Sequence, residues 1–231
     1  MEPVVLNCLL AGLLVAAGVG VVGDSSSSST SWQEACPKEC KCKWVSGKRT
    51  AECQGGNLDT FPKFNQPDKI QVLHMTDNPL GSLPEKVFFN LGMINLQKVY
   101  LTNCSIGHIH ATAFNSLIIL IELDLSHNAI RTLELGTFDG NIRIRKLWLG
   151  HNPIRTLHSY SFPVIPHLKT VDLSNGLLTK LGRSTFVQLE YLEVLHLNDN
   201  KFRRLDKRIF QPMKGLKSLT LEGNPWQCDC R

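Results

Sequence analysis

The sequence lacks any stretch where basic and aromatic residues are concentrated together, as nucleic-acid recognition requires. Its formal charge is only +5 over 231 residues and its aromatic content is 7%, so no nucleic-acid partner is expected. A catalytic constellation is also missing. Asp124, Ser126 and His127 fall together in ELDLSHN, but nothing beside them signals a buried orienting acid or oxyanion donors. His127 and His151 have no third ligand to complete a metal site. The expectation is therefore no enzyme, no cofactor and no metal, with solvated histidines. Asn-x-Ser/Thr sequons are nearly absent: only Asn103 qualifies, and Cys104 in its middle makes it a poor glycan acceptor. Apolar residues are not lacking. At 42% they suffice for a globular protein rather than a disordered one.

Charge is absent from Pro3 to Gly23, PVVLNCLLAGLLVAAGVGVVG, and small residues end the run before Asp24 and a serine tract. This predicts a secretory signal peptide over residues 1–23. A signal anchor is the alternative, because a run of this length can span a bilayer. Cleavage would remove Glu2 and Cys8, leaving seven of the eight cysteines and moving the charge from +5 to +6. Residues 24–35 are serine-rich and read as a flexible lead-in.

From Ile70 onward the chain repeats. LIELDLSHNAIRTL (Leu120–Leu133), IRKLWLGHNPIRTL (Ile144–Leu157) and LEVLHLNDNKFRRL (Leu192–Leu205) fit one template, L-x-x-L-x-L-x-x-N-x-L-x-x-L. Units begin at Ile70, Leu96, Leu120, Ile144, Leu168, Leu192 and Leu216, and Phe88, Phe114, Phe138, Phe162, Phe186 and Phe210 recur with them. The pattern is that of a leucine-rich repeat. It predicts an α/β-type repeat solenoid, a horseshoe whose L-x-L segments pair as a parallel concave sheet. One unit cannot bury its apolar face alone, so stacking supplies the core. Asn78, Asn128, Asn152, Asn200 and Asn224 sit where the chain leaves the strand, and their amides should bond to backbone groups otherwise buried unpaired. Cys104 and Gly176 replace that Asn in two units. Cys104 reads as a buried free thiol. Gly176 predicts a local weak point, or a water or Asn175 standing in.

An open stack needs terminal caps. Residues 36–69 supply the first, with Cys36, Cys40, Cys42 and Cys53 around a Ser46-Gly47 hairpin turn. In a secreted chain these read as two disulfides; zinc is the alternative, against which the spacing and the signal peptide argue. Residues 70–223 carry the repeats, and 224–231 run into PWQCDC. That ending resembles the C-terminal flanking cap of extracellular leucine-rich repeat proteins. The resemblance implies disulfides from Cys228 and Cys230 to two further cysteines downstream. Those are absent, so an incomplete C-terminal cap and a longer parent protein are expected.

CKCKW (Cys40–Trp44), GKRTAEC (Gly47–Cys53), NLQKVYLTNCSIGHI (Asn95–Ile109), ELDLSHN (Glu122–Asn128) and the final NPWQCDCR together resemble the Kekkon family of insect transmembrane proteins. The resemblance spans about residues 36–231. It implies a repeat array followed by an immunoglobulin-like domain and one membrane span. It also implies cell-surface recognition in epithelia or neurons, with at least one member acting on the epidermal growth factor receptor. Neither the immunoglobulin-like domain nor that span lies in this sequence, so membrane association would come only through a missing C-terminal part.

Function is expected on the concave face. The central x of L-x-L gives His74, Tyr100, Asp124, Trp148, Asp172, His196 and Thr220; two residues earlier stand Val72, Lys98, Glu122, Lys146, Thr170, Val194 and Ser218. Exposed aromatics amid charges of both signs are what protein-binding hot spots use. The competing reading is a ladder of cross-strand pairs, Lys98–Glu122–Lys146, that satisfy one another. A second candidate is KFRRLDKR, which places Lys201, Arg203, Arg204, Lys207 and Arg208 together, while Arg131, Arg155 and Arg203 share one repeat position. It suits heparan sulfate or another acidic partner, against a merely solvated charged face. The sequence thus predicts an extracellular protein-recognition module, the ectodomain of a receptor or receptor modulator. The alternative is a secreted matrix protein binding proteins or glycosaminoglycan.

Overall fold

The structure, a computed structural model, describes residues 36–157, 162 and 165–227. The expected signal peptide, the serine-rich lead-in, Cys228 and Cys230 lie outside the described residues. The chain forms a parallel-sheet solenoid of about seven turns, as its period predicts.

Two strands open it, β1 (Lys41–Val45) and β2 (Lys48–Glu52), paired antiparallel. Ser46 and Gly47 between them both take positive φ, 49° and 73°, the two-residue turn whose twist matches a hairpin. Disulfides join Cys36 to Cys42 and Cys40 to Cys53. All four thiols are therefore consumed in pairs, and the zinc alternative falls. β2 then pairs in parallel with β3 (Val72–His74), so the cap hairpin forms the first turn of the solenoid wall.

Each later unit adds one three-residue strand: β5 (Lys98–Tyr100), β7 (Glu122–Asp124), β8 (Lys146–Trp148), β9 (Thr170–Asp172), β10 (Val194–His196) and β11 (Ser218–Thr220). Among the described residues the sheet runs β1-β2-β3-β5-β7-β8-β9-β10-β11. A small second sheet on the return path pairs β4 (Ser82–Leu83) with β6 (His108–Ile109). The convex side is mostly turns, with one short helix, α1 (Val87–Asn90), and a 3-10 turn at Lys207–Phe210. Among the described residues no helix is long and apolar enough to cross a membrane.

Between the walls lies one continuous core. Leu73, Val99, Leu123, Leu147, Val171 and Leu195 are fully buried behind the sheet. The recurring Phe rings stack behind them: Phe88 to Phe114 at 5.7 Å, Phe114 to Phe138 at 6.3 Å, Phe138 to Phe162 at 6.4 Å and Phe162 to Phe186 at 5.8 Å. Phe61 of the cap meets Phe88 edge-on at 5.4 Å. Phe210 keeps its repeat position but is only partly buried.

The template Asn residues act as bridges between turns. Asn128 Nδ2 donates to the carbonyls of Leu101, Leu125 and Ser126 at 2.8, 2.9 and 3.0 Å. Its Oδ1 accepts from the amides of Cys104 and Ile106 at 2.9 and 3.0 Å. The acceptor half recurs along the stack. The amide two residues past the ladder position bonds to the next Asn: Ile130 to Asn152, Leu178 to Asn200 and Phe202 to Asn224.

The two exceptions separate cleanly. Cys104 Sγ still donates to Met75 O at 3.1 Å, but the amide of Leu80 turns back to Asn78 O at 2.8 Å. Opposite Gly176 the amide of Ile154 does the same, bonding to Asn152 O at 2.8 Å. The weak point predicted at Gly176 is thus a rerouted bond. Asn175 does not stand in, since its Nδ2 bonds to Ser174 Oγ at 3.2 Å.

The residue before each ladder position adopts a left-handed backbone: Asp77, Asn103, His127, His151, Asn175 and Asp199 have φ between 53° and 61°, and Gly223 has 68°. Asn, Asp, His and Gly are the types that tolerate this region.

Asn128→Ala is expected to destabilise the fold by about 3–5 kcal/mol, because two buried amides lose their acceptor. Asn128→Asp should cost at least as much, since an oxygen replaces the donor facing three carbonyls. Urea unfolding of the two variants measures both.

The concave face as candidate functional site

Strand register converts the repeat into two straight columns. Glu52, His74, Tyr100, Asp124, Trp148, Asp172, His196 and Thr220 are successive cross-strand partners; so are Thr50, Val72, Lys98, Glu122, Lys146, Thr170, Val194 and Ser218. In a three-residue strand the two end residues point one way and the middle one the other, into the core, which is why both columns face the same way.

The aromatics are less exposed than the sequence suggests. Tyr100 and Trp148 are both half-buried in the concavity. Tyr100 stacks on His74 with centroids 4.4 Å apart, and its hydroxyl donates to Glu122 Oε2 at 2.8 Å. Lys98 Nζ stands 3.2 Å from the same oxygen, and Lys146 Nζ 3.8 Å from the other. The mutually satisfied ladder is therefore present, with Tyr100 as an added member. Burial alone would raise the Glu122 pKa, but the Tyr100 and Lys98 hydrogen bonds and both lysine charges outweigh it and hold the acid below its ordinary value. The Tyr100 phenol is pushed well above its usual range, by burial first and then by Glu122.

Asp124 and Asp172 brace their own strand exits. Asp124 Oδ1 accepts from Ser126 N at 2.9 Å and Ser126 Oγ at 2.6 Å; Asp172 Oδ1 accepts from Ser174 N at 2.8 Å. His196 Nδ1 lies 3.0 Å from Thr220 Oγ1. Lys146 Nζ also sits 5.8 Å from the Trp148 ring centroid, within cation–π reach. In ELDLSHN the serine hydroxyl donates to the aspartate, while His127 stacks on His151 at 3.9 Å. That accounts for all three residues without a nucleophile. Among the described residues no group of three His, Cys, Asp or Glu could hold a metal.

The basic segment is only partly available. Arg208 Nε contacts both oxygens of Asp206 at 2.9 and 3.0 Å, and Arg183 Nε reaches Asp206 at 3.1 Å. These partners, Arg208 foremost, keep Asp206 well below the usual carboxylate range. Lys201, Arg203, Arg204 and Lys207 are exposed. The expected arginine stripe is broken, because Thr179 holds the place between Arg155 and Arg203. Asn103 is exposed and donates to Asp77 Oδ1 at 2.7 Å. Cys104 beside it is buried, and burial raises its thiol pKa to about 11, which keeps it unreactive.

Sequence reasoning missed Asn141. It is buried and donates to Phe114 O at 2.9 Å and Leu117 O at 3.1 Å. The signal was available: Leu117, Ile165 and Leu189 hold the same repeat position, so Asn141 is a polar residue at an apolar place.

This geometry is that of a parallel-sheet repeat solenoid. The chain belongs to the leucine-rich repeat family, whose profile matches residues 94–154 and 166–225. It is similar to leucine-rich repeat-containing protein 3 of Danio rerio, 28% identical over 106 residues that make up 46% of this chain and 30% of that protein. It is also similar to trophoblast glycoprotein of Macaca fascicularis, 28% identical over 121 residues, 52% of this chain and 28% of that protein. The chain thus spans under a third of the length of these curated relatives. Among solved structures, human 5T4 (Wnt-activated inhibitory factor 1, trophoblast glycoprotein) aligns with a TM-score of 0.60 at 27% identity, covering 84% of each chain. A TLR13–ssRNA13 complex aligns with a TM-score of 0.64 at 32% identity, covering 68% of this chain and 22% of that one.

Because Glu122 is held ionised in the fold, its contribution is present above the ordinary carboxylate pKa and is lost as pH falls through the depressed folded value. Glu122→Gln is expected to lower stability by about 1–2 kcal/mol at pH 7, and the gap from wild type should narrow as pH falls below the ordinary carboxylate range. Urea midpoints at pH 7 and pH 3 check this.

Proposed function

We propose that this chain is an extracellular protein-recognition module that binds a partner protein across its concave face. The observation that carries this is the unbroken register from His74 to His196, which presents half-buried aromatic and charged side chains on a sheet with no covering element among the described residues. Two disulfides support an oxidising compartment, as does likeness to a protein named as a glycoprotein. Resemblance of the cap and second repeat to the Kekkon family supports the finer reading. It makes the chain an ectodomain region of a cell-surface receptor or receptor modulator, in epidermal growth factor receptor-type signalling or neuronal recognition.

The exposed cluster Lys201, Arg203, Arg204 and Lys207 favours a second reading, a matrix protein that binds heparan sulfate. Asp206 pairs with Arg208, the fifth basic residue beside that cluster, which ranks this reading below the first.

Screening the secreted chain against a panel of cell-surface ectodomains should yield a partner. Tyr100→Ala with Trp148→Ala should weaken its binding at least tenfold while circular dichroism stays unchanged. Equal affinity in the double variant would move the site off the concave face. On a heparin column, Arg203→Glu with Arg204→Glu should reduce retention if the second reading holds. Wild type eluting at or below physiological salt would remove that reading.

A further inference from the structure

We propose that Trp148, set between Asp124 and Asp172, is the seat for an arginine side chain of the partner protein. The inference rests on the concave-face reading and names the chemistry recognised there. The three residues are direct cross-strand partners on β7, β8 and β9. Neighbouring strands stand about 4.8 Å apart, so the backbones of the two aspartates lie on either side of that of Trp148, roughly 10 Å from each other.

Most charge on this face is already matched. Glu122 is held by Lys98, Tyr100 and Lys146, and Glu52 by Lys43 at 2.8 Å. Asp124 and Asp172 differ. Each uses one oxygen to brace its turn, and among the described residues neither has a cationic side chain within ion-pair distance. The strand between them is shaped to admit one of these carboxylates. Where β7 and β9 are followed by Leu-Ser, β8 is followed by Leu149-Gly150. A Cβ on Gly150 would come within 3.0 Å of Asp172 Oδ2 and 3.1 Å of Oδ1, so the bare glycine lets Asp172 lean toward the tryptophan strand.

A cation already visits this ring in the isolated chain. Lys146 Nζ, on a side chain 49% exposed, hovers 5.8 Å from the indole centroid and 3.8 Å from a Glu122 that closer partners already neutralise. On the proposal, an external cation would take the place that this ammonium now holds near the ring. A face of indole with carboxylates on both sides selects a flat, delocalised cation that can stack and hydrogen-bond at its edges. Guanidinium meets that description more fully than a compact ammonium, which can approach the ring as Lys146 does but cannot stack flat on it.

The test is an NMR titration of the full chain with acetyl-Ala-Arg-Ala-amide and with its neutral isostere, in which citrulline replaces arginine. The Trp148 indole signal is assigned through Trp148→Phe. The arginine peptide should shift this signal ahead of those of Trp44 and Trp226, and should bind at least fivefold more tightly than the citrulline peptide. Asp124→Asn with Asp172→Asn keeps the turn acceptors and should weaken arginine binding at least fivefold. Lys146→Met removes the internal competitor and should strengthen it severalfold, an outcome that a purely structural role for Lys146 would not give. Equal binding of the two peptides, or an unaltered affinity in the Asn double variant, would overturn the proposal. The two readings fail separately. If a partner protein loses affinity on Trp148→Ala but not on the Asn double variant, the arginine seat is wrong and concave recognition stands. If Trp148→Ala leaves partner affinity unchanged, concave recognition at this residue fails even where the peptide binds.

Discussion

The structure depends on one side chain type at one place: an asparagine amide that satisfies backbone groups of two successive turns at once. A solenoid built of three-residue strands must reverse direction immediately after each strand, inside the core. Every such reversal leaves amides and carbonyls facing apolar neighbours, where an unpaired group costs about 1–3 kcal/mol. Water cannot reach them. Asn128, with bonds to Leu101, Leu125, Ser126, Cys104 and Ile106, shows why a carboxamide suits the place. It both donates and accepts, and it does so across the repeat boundary. The apolar core supplies the driving force for stacking, but the carboxamide ladder fixes the register in which turns stack.

That register is also what makes the concave face. With Asn bridges holding each turn at the same phase, strands fall into alignment and unrelated residues become neighbours at a spacing of about 4.8 Å. His74 then lies on Tyr100, Tyr100 reaches Glu122, and Asp124 and Asp172 take up places on either side of Trp148. None of these contacts helps define the repeat; they vary freely while the scaffold stays constant. Such a division between invariant frame and variable surface suits recognition rather than chemistry. The face has rigid aromatic area and charge that cross-strand partners largely match.

The fold was largely legible because its rule is one-dimensional. A period of 24 residues, 26 in the first unit, fixes which residues share a column, so both concave columns could be written down from the unit starts Ile70, Leu96, Leu120, Ile144, Leu168, Leu192 and Leu216. What the period does not encode is how neighbours use one another. Trp148 and Tyr100 were expected to stand exposed; the curvature of the sheet and the Glu122 cluster half-bury them. Five basic residues looked like one patch, but Asp206 among them clasps both Arg183 and Arg208. His127 and His151 share one repeat position and were expected to be solvated; the period did not show that they stack, or that their place takes positive φ. Side-chain choice of this kind is set by three-dimensional neighbours, which a repeat template averages away.

The account rests on the claim that Asn carboxamides, and not strand pairing alone, secure the buried turns. Native-state hydrogen exchange at single-amide resolution tests it most directly, because the chain contains its own controls. The amides of Ile106, Ile130 and Leu178 are bonded to the Asn of the next turn. Those of Leu80 and Ile154, facing Cys104 and Gly176, bond back across Pro79 and Pro153 to the carbonyls of Asn78 and Asn152, each closing a three-residue γ-turn. The first three are predicted to exchange at least tenfold more slowly than the last two, although all five are buried alike. Equal protection across the five would contradict the account and place the register in the strands and the core.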